Sequence, residues 1–222
     1  MSYILNIETA TTNCSVSLSK KGETVVLKED YNSSYSHAER LHVYIDNVLR
    51  EAKVSVDKLD AVAISKGPGS YTGLRIGVSS AKGLCYAANK PLISISTLEA
   101  LAHQVKEEGI IIPMLDARRM EVYSAVFDAN HSQIRETQAQ ILETNIFDEY
   151  LNTSKVYFIG SGVEKAKEII NHPNAVFVED KLPSANEMSS LSYAKFKKSD
   201  IEDVAYFEPY YLKDFIAIKP KS

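Results

Sequence analysis

The stretch Gly67-Pro68-Gly69-Ser70-Tyr71-Thr72-Gly73 lies between an apolar segment, residues 61–65, and a run of small and apolar residues, 74–88. Three glycines in seven residues indicate a turn with unusual backbone angles or with another group in close contact. An apolar strand, a glycine-rich turn and a helix in this order are the parts of an α/β unit. The stretch therefore favours an α/β fold.

This glycine-rich turn allows two interpretations. Its amides could bind a phosphate group at the start of the following helix, or its glycines could simply let the strand and the helix pack closely. The turn lacks the Gly-Lys-Ser/Thr ending of a P-loop, and its spacing differs from the dinucleotide-binding pattern Gly-x-Gly-x-x-Gly. Both interpretations stay open from the residues alone.

The segments around the turn follow one order of elements twice. Three strand-like segments open the chain at residues 4–8, 14–18 and 24–28, and the Ser-x-x-Glu pattern from Ser36 to Glu39 predicts a capped helix that ends near Ala52. A linking strand over 92–95 and a second capped helix, from Ser96 to near Gly109, complete the first half. The second half has predicted strands at 110–115, 121–127, 133–142 and 156–159 and predicted helices near 145–150 and 163–170.

Two copies of one element order predict a duplicated α/β fold with two lobes. We place the N-terminal lobe at residues 1–105 and the C-terminal lobe at 106–222. The tail of the chain adds a predicted helix over 184–196 and an aromatic stretch over 206–212. We expect this tail to dock back on the body of the protein.

The predicted helix over 74–88 contains only two charged residues, Arg75 and Lys82. A helix that is apolar or small on all sides must be covered on all sides. One strip of small residues includes Gly77 and Ala81, and a second includes Ser79 and Gly83. One strip can face the sheet of the same lobe, and the other needs a cover from this chain or from a partner subunit.

We weigh an internal cover and a subunit interface about equally, with Val43 and Tyr44 slightly favouring the interface because they lie off the main apolar face of their helix. The predicted interface consists of residues on these two helices: Leu41, Val43, Tyr44, Arg75, Ile76, Gly77, Ser80, Ala81, Gly83 and Leu84.

Candidate catalytic groups are few. Glu8 ends the first strand, where a sheet of this kind could hold a metal-bound nucleotide, or it caps the turn that follows. The histidines lack metal-ligand spacing, and no nucleophile–base pattern is present, so we predict neither a metal site nor a catalytic residue. If a nucleotide binds, the expected residues are those at the predicted strand ends and turns: Glu8, Thr9, Thr11, Gly67, Gly69, Ser70, Gly160 and Gly162.

The composition excludes several classes of protein. Lys and Arg number 25 and Asp and Glu 29 in 222 residues, a net charge of −4 that argues against binding a polyanion unaided. Lys195, Lys197 and Lys198 form only a small basic patch, which is more often a solvated helix face. Two cysteines give neither a zinc ribbon nor a disulfide framework, and no apolar run approaches the roughly 20 residues of a membrane span. We therefore expect a cytoplasmic protein without a membrane segment.

Five stretches that span nearly the whole chain carry a resemblance to known proteins: ILNIETA (4–10), GPGSYTGLRIG (67–77), PLISISTLEA (91–100), MLDARR (114–119) and PYYL (209–212). Together they resemble the TsaB (YeaZ) family, bacterial proteins that take part in synthesis of the threonylcarbamoyl modification on the adenosine beside the tRNA anticodon. The glycine-rich stretch with its following Leu-Arg-Ile-Gly is the most specific of the five.

The resemblance implies a two-lobed fold of the actin, sugar-kinase and heat-shock-ATPase type. It also implies a paralogue, TsaD, which carries the catalysis and has a His-x-Glu-x-His metal motif. In this chain Thr97 and Leu101 take the two histidine positions, so the resemblance implies that the metal is absent. Glu8 stands where many relatives of the superfamily have Asp, which puts nucleotide binding through this position in doubt.

The function that the resemblance implies is that of a non-catalytic scaffold and activator. It would bind TsaD and TsaE and contact tRNA only indirectly, and the same helices could pair two copies of the chain. No resident cofactor is expected, although a nucleotide at the interface of the complex is left open. The alternative is an ATP-binding hydrolase or glycoprotease-like enzyme of the same fold.

Overall fold

The computed structural model describes residues 2–31 and 37–213. The first half contains five strands and three helices: β1 (Tyr3–Glu8), β2 (Cys14–Lys20), β3 (Glu23–Asp30), α1 (His37–Ala52), β4 (Ala61–Gly67), α2 (Tyr71–Ala88), β5 (Leu92–Ser96) and α3 (Thr97–Ala102). The second half contains five strands and three helices: β6 (Ile110–Asp116), β7 (Glu121–Phe127), β8 (Gln133–Ile141), α4 (Asp148–Leu151), β9 (Val156–Ile159), α5 (Val163–Ile169), β10 (Ala175–Val178) and α6 (Ala185–Lys197).

The two halves form two five-stranded sheets with the same topology. The first sheet has the order β3-β2-β1-β4-β5, and the second, from its other edge, has the order β8-β7-β6-β9-β10. In each sheet the first three strands along the chain pair antiparallel. The fourth strand pairs parallel with the first, and the fifth pairs parallel with the fourth. The predicted duplicated, two-lobed α/β fold is therefore confirmed.

A matching glycine occupies the same place in both halves. Gly67 ends β4 with a φ of 111°, and Gly160 follows β9 with a φ of 112°. Side chains other than hydrogen are disfavoured in this region of backbone space, so a glycine lets the chain leave the sheet there. The glycine-rich turn over 67–73 and a second glycine-rich turn, Gly160-Ser161-Gly162, are thus equivalent parts of the duplicated fold.

The sequence predictions differ from the structure at several elements. The linking strand is the fifth strand of the first sheet, β5, and its counterpart β10 was missed. Only the parallel pairing of Ala175–Val178 with β9 identifies this short apolar segment as a strand. The helix predicted to reach Gly109 ends at Ala102, because tighter i→i+3 bonds follow and residues 106–108 are charged and exposed. The capping residue Ser36 lies outside the described residues.

Helices cover both faces of the first sheet. The core on one face joins β1, β2 and β4 to α1 and α2, and the core on the other face joins β1, β4 and β5 to α3 and α6. Helix α6 also bonds to the sheet through buried polar groups: Ser192 Oγ donates to Asn6 Oδ1 (2.7 Å), and Ser17 Oγ donates to the Ala185 carbonyl (2.7 Å). The tail that follows α6 then adds a bridge at the edge of the sheet, between Glu202 and Leu92.

Candidate functional site

The glycine-rich turn is closed by the turn between β1 and β2. The Ser70 amide donates to the Ala10 carbonyl (2.6 Å), and the Thr9 hydroxyl donates to the Gly73 carbonyl (2.8 Å). A Cβ atom on Gly69 would overlap the Ala10 carbonyl oxygen. A phosphate group bound at this turn would need the Ser70 amide and the space beside Gly69. The Ala10 carbonyl of the same chain already occupies both.

The same contact explains the first strip of small residues on α2. A Cβ on Gly73 would overlap the carbonyl oxygen of Thr9, and a Cβ on Gly77 would overlap its hydroxyl. Ala81 continues this strip and is fully buried. The strip thus packs on Thr9, which follows β1, and on Ile64 of β4, inside the chain.

Glu8 is a buried acid with an incomplete set of hydrogen bonds. Its Oε1 accepts from the Ala10 amide (2.6 Å) and from the Ser65 hydroxyl (2.8 Å), whereas Oε2 is buried without a partner. Burial raises the pKa of Glu8 to about 7, against the lowering effect of these bonds. The residue caps the turn after β1, as one of the two sequence interpretations held, and it holds a proton in mildly acidic solution.

We expect Glu8→Gln to stabilise the protein at alkaline pH and to have little effect in acid. Because the pKa is higher in the folded state, the folded protein binds more protons between pH 4.5 and 7, and the free energy of unfolding falls as pH rises through that window. Across the whole window the free energy of unfolding falls by about 3 kcal/mol. Urea unfolding at pH 5 and at pH 8 measures this effect: the gap in free energy of unfolding between Glu8→Gln and the wild type should be larger at pH 8. A gap equal at both pH values would contradict this account.

The second glycine-rich turn is closed in a similar way. The Gly162 amide donates to the Met114 carbonyl (3.1 Å), and a Cβ on Gly160 would overlap that oxygen. Asp116, which ends β6 as Glu8 ends β1, is exposed and pairs with Lys165 (2.7 Å). The residues expected to bind a nucleotide thus lie at the predicted strand ends. In both turns an amide and a glycine among them contact a backbone carbonyl of this chain.

Thr11 takes part in the same packing. Its hydroxyl accepts from the Asn13 amide (3.3 Å), and its carbonyl contacts His37 Nε2 (2.7 Å) at the start of α1. All of the first-half nucleotide candidates therefore have internal structural roles.

The second strip of small residues on α2 faces outward. From Thr72 to Gly83 its exposed residues follow one another at intervals of three or four, and Tyr86 and Ala87 lie three and four residues beyond Gly83, which places them all on one side of the helix. Tyr86 is the most exposed of them, at 87%. The outer face of α2 consists of Thr72, Arg75, Ser79, Gly83, Tyr86 and Ala87.

Of the predicted interface residues, three must be withdrawn. Leu41 and Ala81 are fully buried in the core, and Gly77 packs on Thr9, so none of them is available to a partner. The others remain at least partly exposed, and Val43 is 53% exposed. They are Val43, Tyr44, Arg75, Ile76, Ser80, Gly83 and Leu84.

Helices α1 and α2 present these residues side by side. His42 Nε2 lies 3.5 Å from Ser80 Oγ, which joins the two helices at the surface. Near the end of α2, a shallow depression of about 570 Å³ is lined by Leu84, Ala87 and Val56, among others. The two helices therefore form one continuous surface.

The tail contributes contacts that the sequence analysis missed. The Tyr210 amide donates to the Lys66 carbonyl (2.7 Å) at the end of β4. The Tyr71 and Tyr211 rings lie 5.1 Å apart, and the Arg75 guanidinium lies 4.6 Å above the Tyr71 ring. The aromatic residues 206–212 suggested docking on the body, but only the fold shows that they reach the glycine-rich turn and the outer face of α2.

The two positions that the sequence resemblance places against the metal-binding histidines of TsaD lie in the core. Thr97 and Leu101, on α3, are fully buried. Across residues 2–31 and 37–213, no group of three or more His, Cys, Asp or Glu side chains is placed to hold a metal ion. In the same ranges no helix combines the length and the apolar character that a membrane span needs.

Two five-stranded sheets of equal topology, each with a glycine turn at the equivalent position, define a duplicated, two-lobed α/β protein. Comparison with known proteins narrows this class. The model of the TsaD family, tRNA N6-adenosine threonylcarbamoyltransferase, matches residues 31–218. The chain is 30% identical to the tRNA threonylcarbamoyladenosine biosynthesis protein TsaB of Escherichia coli, over 97% of this chain and 96% of that protein. The chain belongs to the TsaB (YeaZ) family.

Other relatives agree with this family. The TsaB protein of Haemophilus influenzae is 27% identical over 97% of this chain and 95% of its own length. The structure of YeaZ from Pseudomonas aeruginosa matches with a TM-score of 0.83 at 25% identity, covering 96% of this chain and all of that one. The resemblance seen in the sequence motifs is confirmed.

Proposed function

We propose that this protein is a non-catalytic subunit that binds the threonylcarbamoyltransferase TsaD, together with TsaE, and supports transfer of the threonylcarbamoyl group to the adenosine beside the tRNA anticodon. The binding surface is the outer face of α2 with the adjoining part of α1. Membership in the TsaB family supports a part in threonylcarbamoyladenosine synthesis, and the exposed surface of α2 supports binding to another subunit.

Gly83 is the observation that carries this proposal. Glycine inside a helix costs about 1 kcal/mol relative to alanine. Gly73 and Gly77 have an internal reason for that cost, because Thr9 leaves no room for a Cβ. Within residues 2–31 and 37–213, no atom beyond its chain neighbours and the backbone of its own helix lies within 4 Å of a Cβ placed on Gly83, so no packing contact in these ranges requires glycine there. Close approach of another helix backbone would require it.

The surroundings of Gly83 suit a helix of another subunit. Helix α2 contains no acidic residue, and the exposed positions four residues before and after Gly83 carry the small side chains of Ser79 and Ala87, with Tyr86 beside them. Val43 extends the surface with exposed apolar area on α1. Because paralogous chains share their geometry, a second copy of this chain can occupy the same surface when TsaD is absent.

The closed glycine turn supports a scaffold over the alternative, an ATP-binding hydrolase. The Ala10 carbonyl occupies the position where a phosphate oxygen would meet the Ser70 amide. Oε1 of Glu8 accepts hydrogen bonds from the Ala10 amide, in the turn after β1, and from the Ser65 hydroxyl. The proposal therefore assigns the chemistry to TsaD and the docking surface to this chain.

Co-expression with TsaD and TsaE from the same host tests the proposal. We expect the chain to elute with TsaD on size exclusion and the mixture to modify tRNA only when all subunits are present. Modification by TsaD and TsaE at an unchanged rate without this chain, or separate elution of the chain and TsaD, would overturn it.

A further inference from the structure

The fold brings lysines from two distant segments together at one end of the first sheet. The turn between β2 and β3 carries Lys20 and Lys21, and the end of α6 carries Lys197 and Lys198. A Cβ on Gly22 would lie 3.1 Å from Cδ1 of Tyr193, so the turn rests against α6. In the sequence these lysines are more than 170 residues apart, and the patch on α6 alone looked like a solvated helix face.

Each pair of lysines is accompanied by a tyrosine ring. Lys20 Nζ lies 5.5 Å from the centre of the Tyr3 ring, and Lys197 Nζ lies 5.1 Å from the centre of the Tyr193 ring. Tyr3 and Lys20 are direct cross-strand partners on one face of the sheet, whereas Tyr193 belongs to the core on the other face. The two lysine–tyrosine pairs thus lie on opposite faces of the sheet, on either side of the turn between β2 and β3. We call Lys20, Lys21, Lys197, Lys198, Tyr3 and Tyr193 the lysine–tyrosine end.

The positive charge at this end is not neutralised. Within residues 2–31 and 37–213, none of its four lysines forms an ion pair, whereas neighbouring Lys195 pairs with Asp200 (3.1 Å). The acidic groups beside it are Glu23, which faces Lys20 across the hairpin, and Asp60, which accepts from the Tyr3 amide (2.7 Å). Lys21, Lys197 and Lys198 are exposed. Four lysines against two carboxylates leave a local positive surface on an acidic protein.

We propose that the lysine–tyrosine end binds the phosphate backbone of RNA. Lysines supply sequence-independent contacts to phosphates, and tyrosine rings beside them can stack with unpaired bases or pack on the sugar. The choice of RNA over an acidic protein rests on the proposed function, in which the substrate of the complex is tRNA. The site gives the subunit a direct contact with the tRNA, in addition to its docking on TsaD.

The part of this end on α6 stays free when TsaD is bound. Tyr193 and Lys197 lie on α6, which packs on the face of the first sheet opposite α1 and α2, whereas Tyr3 packs on the same face as those helices. A partner on the outer face of α2 therefore does not cover α6. One subunit can bind TsaD through α2 and RNA through the α6 part of this end.

Two double variants test the site, one for each segment: Lys20→Gln with Lys21→Gln, and Lys197→Gln with Lys198→Gln. The matched control is Lys155→Gln with Lys181→Gln, which changes two exposed lysines of the second half. The measurement is filter binding of an unmodified tRNA transcript at several salt concentrations, with the chain alone and with its TsaD complex.

We expect each double variant at the lysine–tyrosine end to weaken tRNA binding three- to tenfold at about 50 mM salt and to reduce the slope of log K against log salt by about 1 to 2. The control should stay within twofold of the wild type. Unchanged binding in either double variant would overturn the proposal, and so would a loss of TsaD association in place of tRNA binding, because it would identify a protein site.

Failure of this inference can be told apart from failure of the proposed function. Double variants that elute with TsaD and bind tRNA like the wild type contradict the RNA site alone. A wild-type chain that does not elute with TsaD contradicts the proposed function, and the RNA site is then judged by the binding of the chain alone.

Discussion

Replacing Gly73 with alanine is expected to destabilise the protein by about 3 kcal/mol or more, enough to unfold a large fraction of a domain of ordinary stability. The added Cβ would overlap the backbone carbonyl oxygen of Thr9, which cannot move without breaking the turn after β1. Ala10, next in this turn, accepts the Ser70 amide, so a shift would also open the glycine-rich turn. Urea unfolding followed by circular dichroism measures the loss.

The matched control for this variant is Gly83→Ala, the same substitution ten residues further along the same helix. With open space around its Cβ, it should stabilise the free chain by about 0.5–1 kcal/mol through helix propensity alone. Opposite signs at the two positions would support the packing described for α2. A Gly73→Ala protein as stable as the wild type would contradict it.

Gly83→Glu is expected to weaken association with TsaD more than a hundredfold while leaving the free chain folded. A long charged side chain at the closest approach of two helices prevents their contact and leaves a charge without a partner, and a hundredfold loss corresponds to about 2.8 kcal/mol. Gly83→Ala should weaken association about five- to tenfold although it stabilises the free chain. Isothermal titration of each variant with TsaD measures the affinities.

Ser190→Glu on α6 is the matched control for the charge, because Ser190 is an exposed helix residue on the opposite side of the first sheet. Its affinity for TsaD should remain within threefold of the wild type. Equal affinities for Gly83→Glu and the wild type would place the interface away from the outer face of α2.

Local pattern was enough to predict most of the elements and their repeated order. The alternation over 14–18 and the apolar segments over 121–127 and 156–159 identified β2, β7 and β9 to within two residues of their bounds. Ala175–Val178 was missed because its strand character depends on parallel pairing with β9, a contact between separate segments. Helix α2 begins at Tyr71, earlier than expected, because Ser70 accepts the Gly73 amide and caps the helix inside the glycine-rich turn.

The sides of the helices were harder to predict than the helices themselves. Two strips of small residues on α2 look alike in the sequence, and only the position of Thr9 shows that Gly73 and Gly77 face inward and Gly83 outward. Similarly, the joining of Lys20 and Lys21 to the end of α6 depends on how α6 packs on the first sheet. These features arise from contacts between distant segments, which local periodicity does not encode.

Crosslinking from a single introduced thiol tests the central claim, that the outer face of α2 contacts TsaD. Cys14 and Cys85 are buried, and burial raises the pKa of their thiols to about 11 and about 12, so at neutral pH an exposed thiol reacts selectively. A thiol-specific photocrosslinker on Ser79→Cys should join the chain to TsaD, and the same reagent on Ser190→Cys should not. Crosslinks to TsaD from position 190 and none from position 79 would contradict the account.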